Sequence, residues 1–293
     1  MKNLISQNMA GYSLLDSGYG KKLEVIAGLT VERPCPQAIW APRLGENDWK
    51  QATSICIRKN DGGGTWKHRG DKEPQNLLIE HEQLKFKLKF TSFGHCGVFF
   101  EQKAVWETLS AEATRLQAEL GRPLKFLNLF GYTGCASLAV AATGAEIFHV
   151  DSSKGVLNWG RENAELSKLD MRKIKFVQED VLAFVKHSLR KGFKYDGILA
   201  DPPSWGHGAN KEVWEFDQMI HELVSNCFNI LTRENSLFFL SSHTHGVQSE
   251  ALRNLMNDHR SKKEIVVGEL GVRHSHDERI LPAGIYSFAK NIH

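Results

Sequence analysis

The chain has 293 residues, 41% of them hydrophobic and 24% charged, with 37 basic and 34 acidic side chains for a net charge of +3. That length suits about two domains, and the composition excludes fibres, repeat arrays and disulfide miniproteins. No apolar run reaches the roughly 18 residues of a membrane span, and the near balance of charge announces no polyanionic partner.

The opening MKNLISQNMAGYSLLDSG has no continuous apolar stretch ending in a small-residue cleavage site, so no secretory signal is read and the cytoplasm is the expected compartment. Residues 1–95 hold the runs LEVIAGLTVER, SICIRKN and LLIEHEQLKFKLKF, the last alternating apolar and polar side chains as a strand does. Pro34, Pro36, Pro42, the Gly62-Gly63-Gly64 triplet and Pro74 place turns between them, which predicts a small antiparallel β domain over 1–95. The basic excess belongs here, with 14 Lys and Arg against 10 Asp and Glu in residues 1–100.

From Lys103 the spacing of Val105, Leu109, Ala113, Leu116 and Leu120 is helical, and Gly121 and Pro123 end it. Short apolar strands and amphipathic helices then alternate: LKFLNLF and CASLAVAAT; EIFHV and 154–168; KIKFVQ and 181–190; YDGILA and 212–231. Strand SLFFLS, a helix over 249–260, strand EIVVGELG and strand IYSFA complete residues 96–293 as a second domain. This order implies a seven-stranded, mostly parallel, doubly wound Rossmann-like α/β sheet, with an antiparallel edge strand from the final hairpin.

Ligands of such sheets lie beyond the carboxyl ends of the strands, where strand order reverses. Four strand ends there carry chemistry: Phe130-Gly131-Tyr132-Thr133-Gly134, Asp151, Asp180, and Asp201-Pro202-Pro203-Ser204-Trp205. Two glycines allow a sharp turn and a close backbone approach. A carboxylate 17 residues on, Asp151, stands near the spacing at which ribose hydroxyls are bound. The loop lacks Gly-x-Gly-x-x-Gly, which counts against a dinucleotide and suits an adenosyl ligand without phosphates. Asp151 and Asp180 are each also placed to cap the helix that follows.

This set resembles class I S-adenosylmethionine-dependent methyltransferases. More narrowly, Gly97-Val98-Phe99-Phe100-Glu101-Gln102, Asn128-Leu129-Phe130-Gly131-Tyr132-Thr133-Gly134, Val150-Asp151, Asn163-Ala164 and Asp201-Pro202-Pro203 resemble bacterial large-subunit rRNA methyltransferases in which a β unit precedes such a domain. The matching segments lie between Gly97 and Pro203, in the domain over 96–293 that makes up about two thirds of the chain. The resemblance implies S-adenosylmethionine as cofactor and RNA as substrate. Phe130, Gly131, Tyr132, Thr133 and Gly134 would form the cofactor loop, with Gly131, Thr133 and Gly134 against the methionine part. Asp151 would take the ribose, Asp180 the adenine amino group, and Gln102 would close the pocket.

Asp201, Pro202, Pro203 and Ser204 are the expected catalytic segment. The prolines fix the backbone and remove two N–H donors, leaving carbonyls beside the Asp201 carboxylate for an exocyclic amine. Trp205 either stacks on a base or covers the edge of the core; Gly206-His207-Gly208 reads as a mobile loop, and Trp214 as the start of the long helix.

Cytosine C5 methylation needs a cysteine nucleophile. The related cytosine enzymes carry it after the fifth strand, where this chain has Ser242, so a nitrogen acceptor is favoured. The five cysteines, Cys35, Cys56, Cys96, Cys135 and Cys227, are scattered without a Cys-x-x-Cys pair and read as buried thiols. The pairs His243/His245 and His274/His276 read as loop histidines rather than a metal site, with His243 a candidate to orient substrate. A binding module without catalysis, or transfer to a protein or small molecule, remains as an alternative.

Overall fold

The computed structural model describes residues 1–58, 63–70, 72–208, 212–259 and 264–291. Gly62 of the glycine triplet and Arg260 of the expected 249–260 helix lie outside the described residues. The chain divides into two compact units. One comprises Met1–Leu4, Val105–Leu270 and Gly284–His293; the other comprises Ile5–Ala104 and Gly271–Ala283.

After strand β1 (Leu4–Ser6), the second unit holds a five-stranded sheet in the order β2 (Tyr12–Gly18), β3 (Lys21–Ile26), β4 (Leu29–Pro34), β5 (Ser54–Arg58) and β6 (Gly64–His68), with a short helix α1 (Glu46–Trp49) before β5. All neighbours are antiparallel except β4 and β5, which run parallel because α1 and its flanking turns carry the chain back to the starting end. A separate hairpin, β7 (Leu77–His81) and β8 (Leu84–Leu88), buries the alternate residues Leu84, Phe86 and Leu88. The expected boundary at 95/96 falls inside this unit. Ser6 Oγ donates to the Glu101 carbonyl (2.7 Å) and accepts from Ala104 N (3.0 Å), and Tyr12 stacks on Phe100 at 3.6 Å, which holds 96–104 with the N-terminal strands.

Along the rest of the chain, most of which belongs to the first unit, α2 (Lys103–Leu120) is followed by β9 (Lys125–Leu129), α3 (Cys135–Ala142), β10 (Glu146–Asp151), α4 (Lys154–Leu166), β11 (Ile174–Gln178), α5 (Val181–Arg190) and β12 (Gly197–Ala200). Then come β13 (Trp205–His207), β14 (Val213–Glu215), α6 (Phe216–Ile230), β15 (Ser236–Ser242), α7 (Ser249–Asn257), β16 (Glu264–Arg273) and β17 (Ile280–Asn291). The main sheet has eight strands in the order β1-β16-β17-β15-β12-β9-β10-β11, one more than expected. The addition is β1, three residues too short to show a period. The antiparallel strand is also not at the edge, since β17 pairs antiparallel with β15 and has β16 on its other side.

The expected helix over 212–231 begins only at Phe216. Residues 213–215 pair instead with 205–207, in the register Trp205↔Glu215, Gly206↔Trp214 and His207↔Val213, so Gly206-His207-Gly208 is mostly strand and not a free loop. From Phe216 onward the apolar stripe behaves as read, burying Ile220, Leu223, Val224, Cys227 and Ile230. Burial of apolar side chains on both faces of β9, β12 and β15 is what drives this layer together.

Candidate active site

The register of the parallel strands brings four chain positions into one row. Val150 pairs with Leu129, Leu129 with Ala200, and Ala200 with Leu240. The next residue on each strand is therefore Asp151, Phe130, Asp201 and Ser241. Strand order reverses between β9 and β12, so Phe130 and Asp201 flank the point where such sheets bind ligands.

Phe130 and Tyr132 both adopt left-handed backbone, with φ of +56° and +51°, and Gly134 has φ +90° before α3 opens. The loop is held on two sides. Tyr132 N donates to Asp151 Oδ2 (3.0 Å), and the Thr133 carbonyl accepts from Asn163 Nδ2 (3.0 Å). A methyl added at Gly131 would collide with the ring of His149, and one at Gly160 would meet Phe176 at 2.9 Å, so both glycines admit close packing that no larger residue permits. Thr133 is fully buried and serves the loop from beneath.

Asp151 Oδ1 accepts from Ser153 N (2.9 Å). Burial pushes its pKa up, against the two N–H groups that pull it down. Each carboxylate oxygen has two lone pairs, so after these bonds each retains one acceptor position, the number a ribose diol needs. Ser153, not Asp151, is the N-cap residue of α4. Asp180 does cap its helix, Oδ1 accepting from Ala183 N (2.9 Å), and stands two residues past β11. Gln102 is buried on the 3-10 turn Phe100–Gln102 of the other unit.

At the end of β12, Asp201 Oδ1 accepts from Ser241 Oγ (2.6 Å), with His243 Nε2 at 3.4 Å. Burial alone would raise this carboxyl; His243 and Ser241 outweigh it and hold the pKa below the usual carboxylate value. The His243 ring lies against Gly284, where a Cβ would come within 2.8 Å of Nδ1. Pro202 is buried, and Pro203 and Ser204 are exposed. The Pro203 carbonyl accepts from Trp214 Nε1 (2.7 Å), so one of the two carbonyls expected beside Asp201 already has an indole partner. Ser204 Oγ is 3.0 Å from Thr244 Oγ1, and its carbonyl accepts from Phe216 N. Trp205 is 58% exposed and meets His207 edge-on at 4.4 Å, while Trp214 is 5% exposed and packs edge-on against Phe130 at 4.9 Å. Trp214 thereby joins the Phe130–Gly134 loop to the segment that follows Asp201.

All five cysteines are buried and unpaired with one another. Burial raises the Cys227 thiol well above its usual value. Of the paired histidines, His274 is buried in the other unit, with Nε2 2.8 Å from Ser17 Oγ. Among the described residues no group of three His, Cys, Asp or Glu is arranged for a metal.

A Rossmann-like sheet with a glycine loop, an acid ending the next strand and an acid followed by two prolines at the point of strand reversal has the layout of a nucleoside-binding α/β protein. The model of the S-adenosylmethionine-dependent methyltransferase family matches residues 54–230, and the chain belongs to that family. S-adenosylmethionine is thus its cofactor class, and the loop glycines and the Asp151 acceptor positions fit it.

Among relatives, the chain is 29% identical over 206 residues to the ribosomal RNA large subunit methyltransferase K/L of Colwellia psychrerythraea, covering 69% of this chain and 27% of that protein. It is 31% identical over 161 residues to the protein of the same name from Shewanella sp. strain MR-4, covering 54% and 22%. The chain therefore spans about a quarter of the length of these relatives. Among solved structures, the S-adenosylmethionine-dependent methyltransferase of Agrobacterium tumefaciens superposes with a TM-score of 0.93 at 33% identity, over 99% of this chain and 94% of that one.

Proposed function

We propose that the chain transfers a methyl group from S-adenosylmethionine to a nitrogen of an RNA base. The observation that carries the acceptor chemistry is Asp201, an ionised carboxylate at the end of β12 braced by Ser241 and His243. Such a group accepts a hydrogen bond from an exocyclic N–H and turns the nitrogen lone pair toward the incoming methyl; catalysis is then mostly positioning. The bound cofactor supplies an electrophilic methyl on a sulfonium.

In this reading Asp151 binds the ribose, Asp180 the adenine amino group, and the backbone of Phe130–Gly134 the methionine part. Pro202 and Pro203 fix the direction of Asp201, and Ser204 anchors the segment to Thr244. Exposed Trp205 is the stacking surface for a base drawn out of its helix, a contact worth roughly 1–3 kcal/mol. A nitrogen acceptor is favoured over cytosine C5 because Ser241 and Ser242 occupy the end of β15, no cysteine stands in the segment Asp201–Gly208, and none follows Ser242. The names of the relatives support ribosomal RNA as substrate class, and such a substrate implies action in the cytoplasm. Among the described residues no helix is long and apolar enough to cross a membrane.

The test is incubation of the full chain with labelled S-adenosylmethionine and RNA from a strain lacking the gene, followed by mass analysis of nucleosides. The expected product is one N-methylated base, with turnover lowered at least a hundredfold in Asp201→Ala. Cofactor binding without transfer to any RNA would overturn the RNA reading, and label in protein or a small molecule would replace it.

A further inference from the structure

The floor beneath the cofactor loop is a single imidazole. His149 is wholly buried on β10 two residues before Asp151, so the two side chains leave the strand on one face. Its ring fills the space under Gly131, lies 3.7 Å from where a Gly134 Cβ would stand, and has the Phe176 ring 5.0 Å away.

Its hydrogen bonds have a direction. Nε2 is 3.2 Å from the Tyr132 carbonyl, which can only accept, so Nε2 carries the hydrogen. Nδ1 is then an acceptor and takes the proton of Ser137 Oγ at 2.8 Å; Ser137 Oγ in turn accepts from Asn128 Nδ2 at 2.8 Å. Amide, hydroxyl, imidazole and carbonyl follow in one order. The other end of Tyr132, its N–H, is bound by Asp151. A residue whose left-handed backbone costs about 1–2 kcal/mol is thus gripped at both ends by two side chains of one strand.

We infer that His149 is a positioning residue for cofactor binding. It holds the Tyr132 carbonyl so that the loop keeps the shape in which Asp151 and the loop backbone meet S-adenosylmethionine. The inference rests on the cofactor assignment made above. Burial, with Arg161 adding to it, pushes the pKa of His149 down to about 4 against the pull of the Tyr132 carbonyl, so the ring stays neutral and the order of the chain is preserved at working pH.

The experiment titrates S-adenosylmethionine calorimetrically into the full wild-type chain and into His149→Leu, His149→Gln and Ser137→Ala, with melting temperature measured for each. Leu removes both hydrogen bonds, and we expect its Kd to rise about tenfold. Gln places an amide N–H near Nε2 and is expected to recover most of that loss despite a comparable fall in melting temperature. Ser137→Ala leaves the ring and frees its tautomer, for an expected rise of about threefold. Nitrogen-15 spectra of labelled histidine should show the neutral Nε2–H form for His149 from pH 8 to 5.

Equal affinity in all variants, equal weakening by Leu and Gln, or an Nδ1–H spectrum would overturn the inference. A wild-type chain that takes up no S-adenosylmethionine would instead overturn the cofactor assignment beneath it. If His149→Leu does not fold, Ser137→Ala and the spectrum still decide.

Discussion

In the second unit, buried Glu24 meets buried Arg33 through two hydrogen bonds of 2.7 and 2.8 Å, with the buried Tyr12 hydroxyl at 3.0 Å and half-buried Lys22 at 3.1 Å. Beneath the Phe130–Gly134 loop of the first unit, Asn128, Ser137 and His149 make a buried chain of neutral groups. Charge in a low-dielectric core is strong but tolerant of direction, and costly when one partner is lost. A chain of neutral donors and acceptors is weaker, yet its order fixes which way each group points. The first arrangement suits a scaffold, and the second suits aiming one carbonyl.

The largest way to break this contrast is Glu24→Gln, which strands the Arg33 guanidinium. A loss of roughly 3–5 kcal/mol is expected for removing one member of a buried pair, read by urea unfolding; a loss below 1 kcal/mol would make the pair a bystander. Gly131→Ala should be milder, roughly 1–3 kcal/mol of overpacking against His149, and should show in S-adenosylmethionine affinity as well as in melting. Unchanged affinity would mean the loop tolerates a displaced ring.

The most discriminating effect is with acid. Burial of Glu24 would raise its pKa, but Arg33 and Lys22 hold it at about 2 against an ordinary 4.5, so its contribution is present above 4.5 and lost as pH falls toward 2. His149 has its folded pKa depressed to about 4 from 6.5, so any opened form takes the proton more readily, and stability around the loop falls as pH drops from 6.5 toward 4. Hydrogen exchange should therefore show the Tyr132 amide losing protection in the higher window and the β3 amides in the lower. A single shared window would erase the contrast.

Much of this was legible from residues. The strands of the parallel sheet announce themselves because both faces are buried, as in Phe238-Phe239-Leu240, and the acids that follow them mark the ligand edge. What escaped has physical causes. Trp214 and Glu215 continue the helical period of Phe216 onward, and only their pairing with 205–207 takes them out of the helix. His149 lies in the apolar run EIFHV, which draws attention to the strand and not to the ring; its period-two relation to Asp151 was the available signal. The tie of 96–104 to Ser6 and Tyr12 depends on contacts about 90 residues apart, which no local pattern encodes.

The division of the chain into units has a consequence for biosynthesis. Asp16 and Ser17 are buried polar residues of an early strand, and partners of both come from the far end of the chain: Arg279 Nη2 bonds Asp16 at 2.7 Å, and His274 bonds Ser17. Until residues 271–283 leave the ribosome, the N-terminal unit lacks these two partners, Asp16 keeping its bonds from Arg43 N, Leu44 N and Trp49 Nε1 and Ser17 Oγ that from Trp40 Nε1, so the unit closes completely only when the far end of the chain arrives. A fragment ending near residue 104 is for the same reason an incomplete fold, whatever its length suggests. Dissecting this protein calls for circular permutants or point variants rather than truncation.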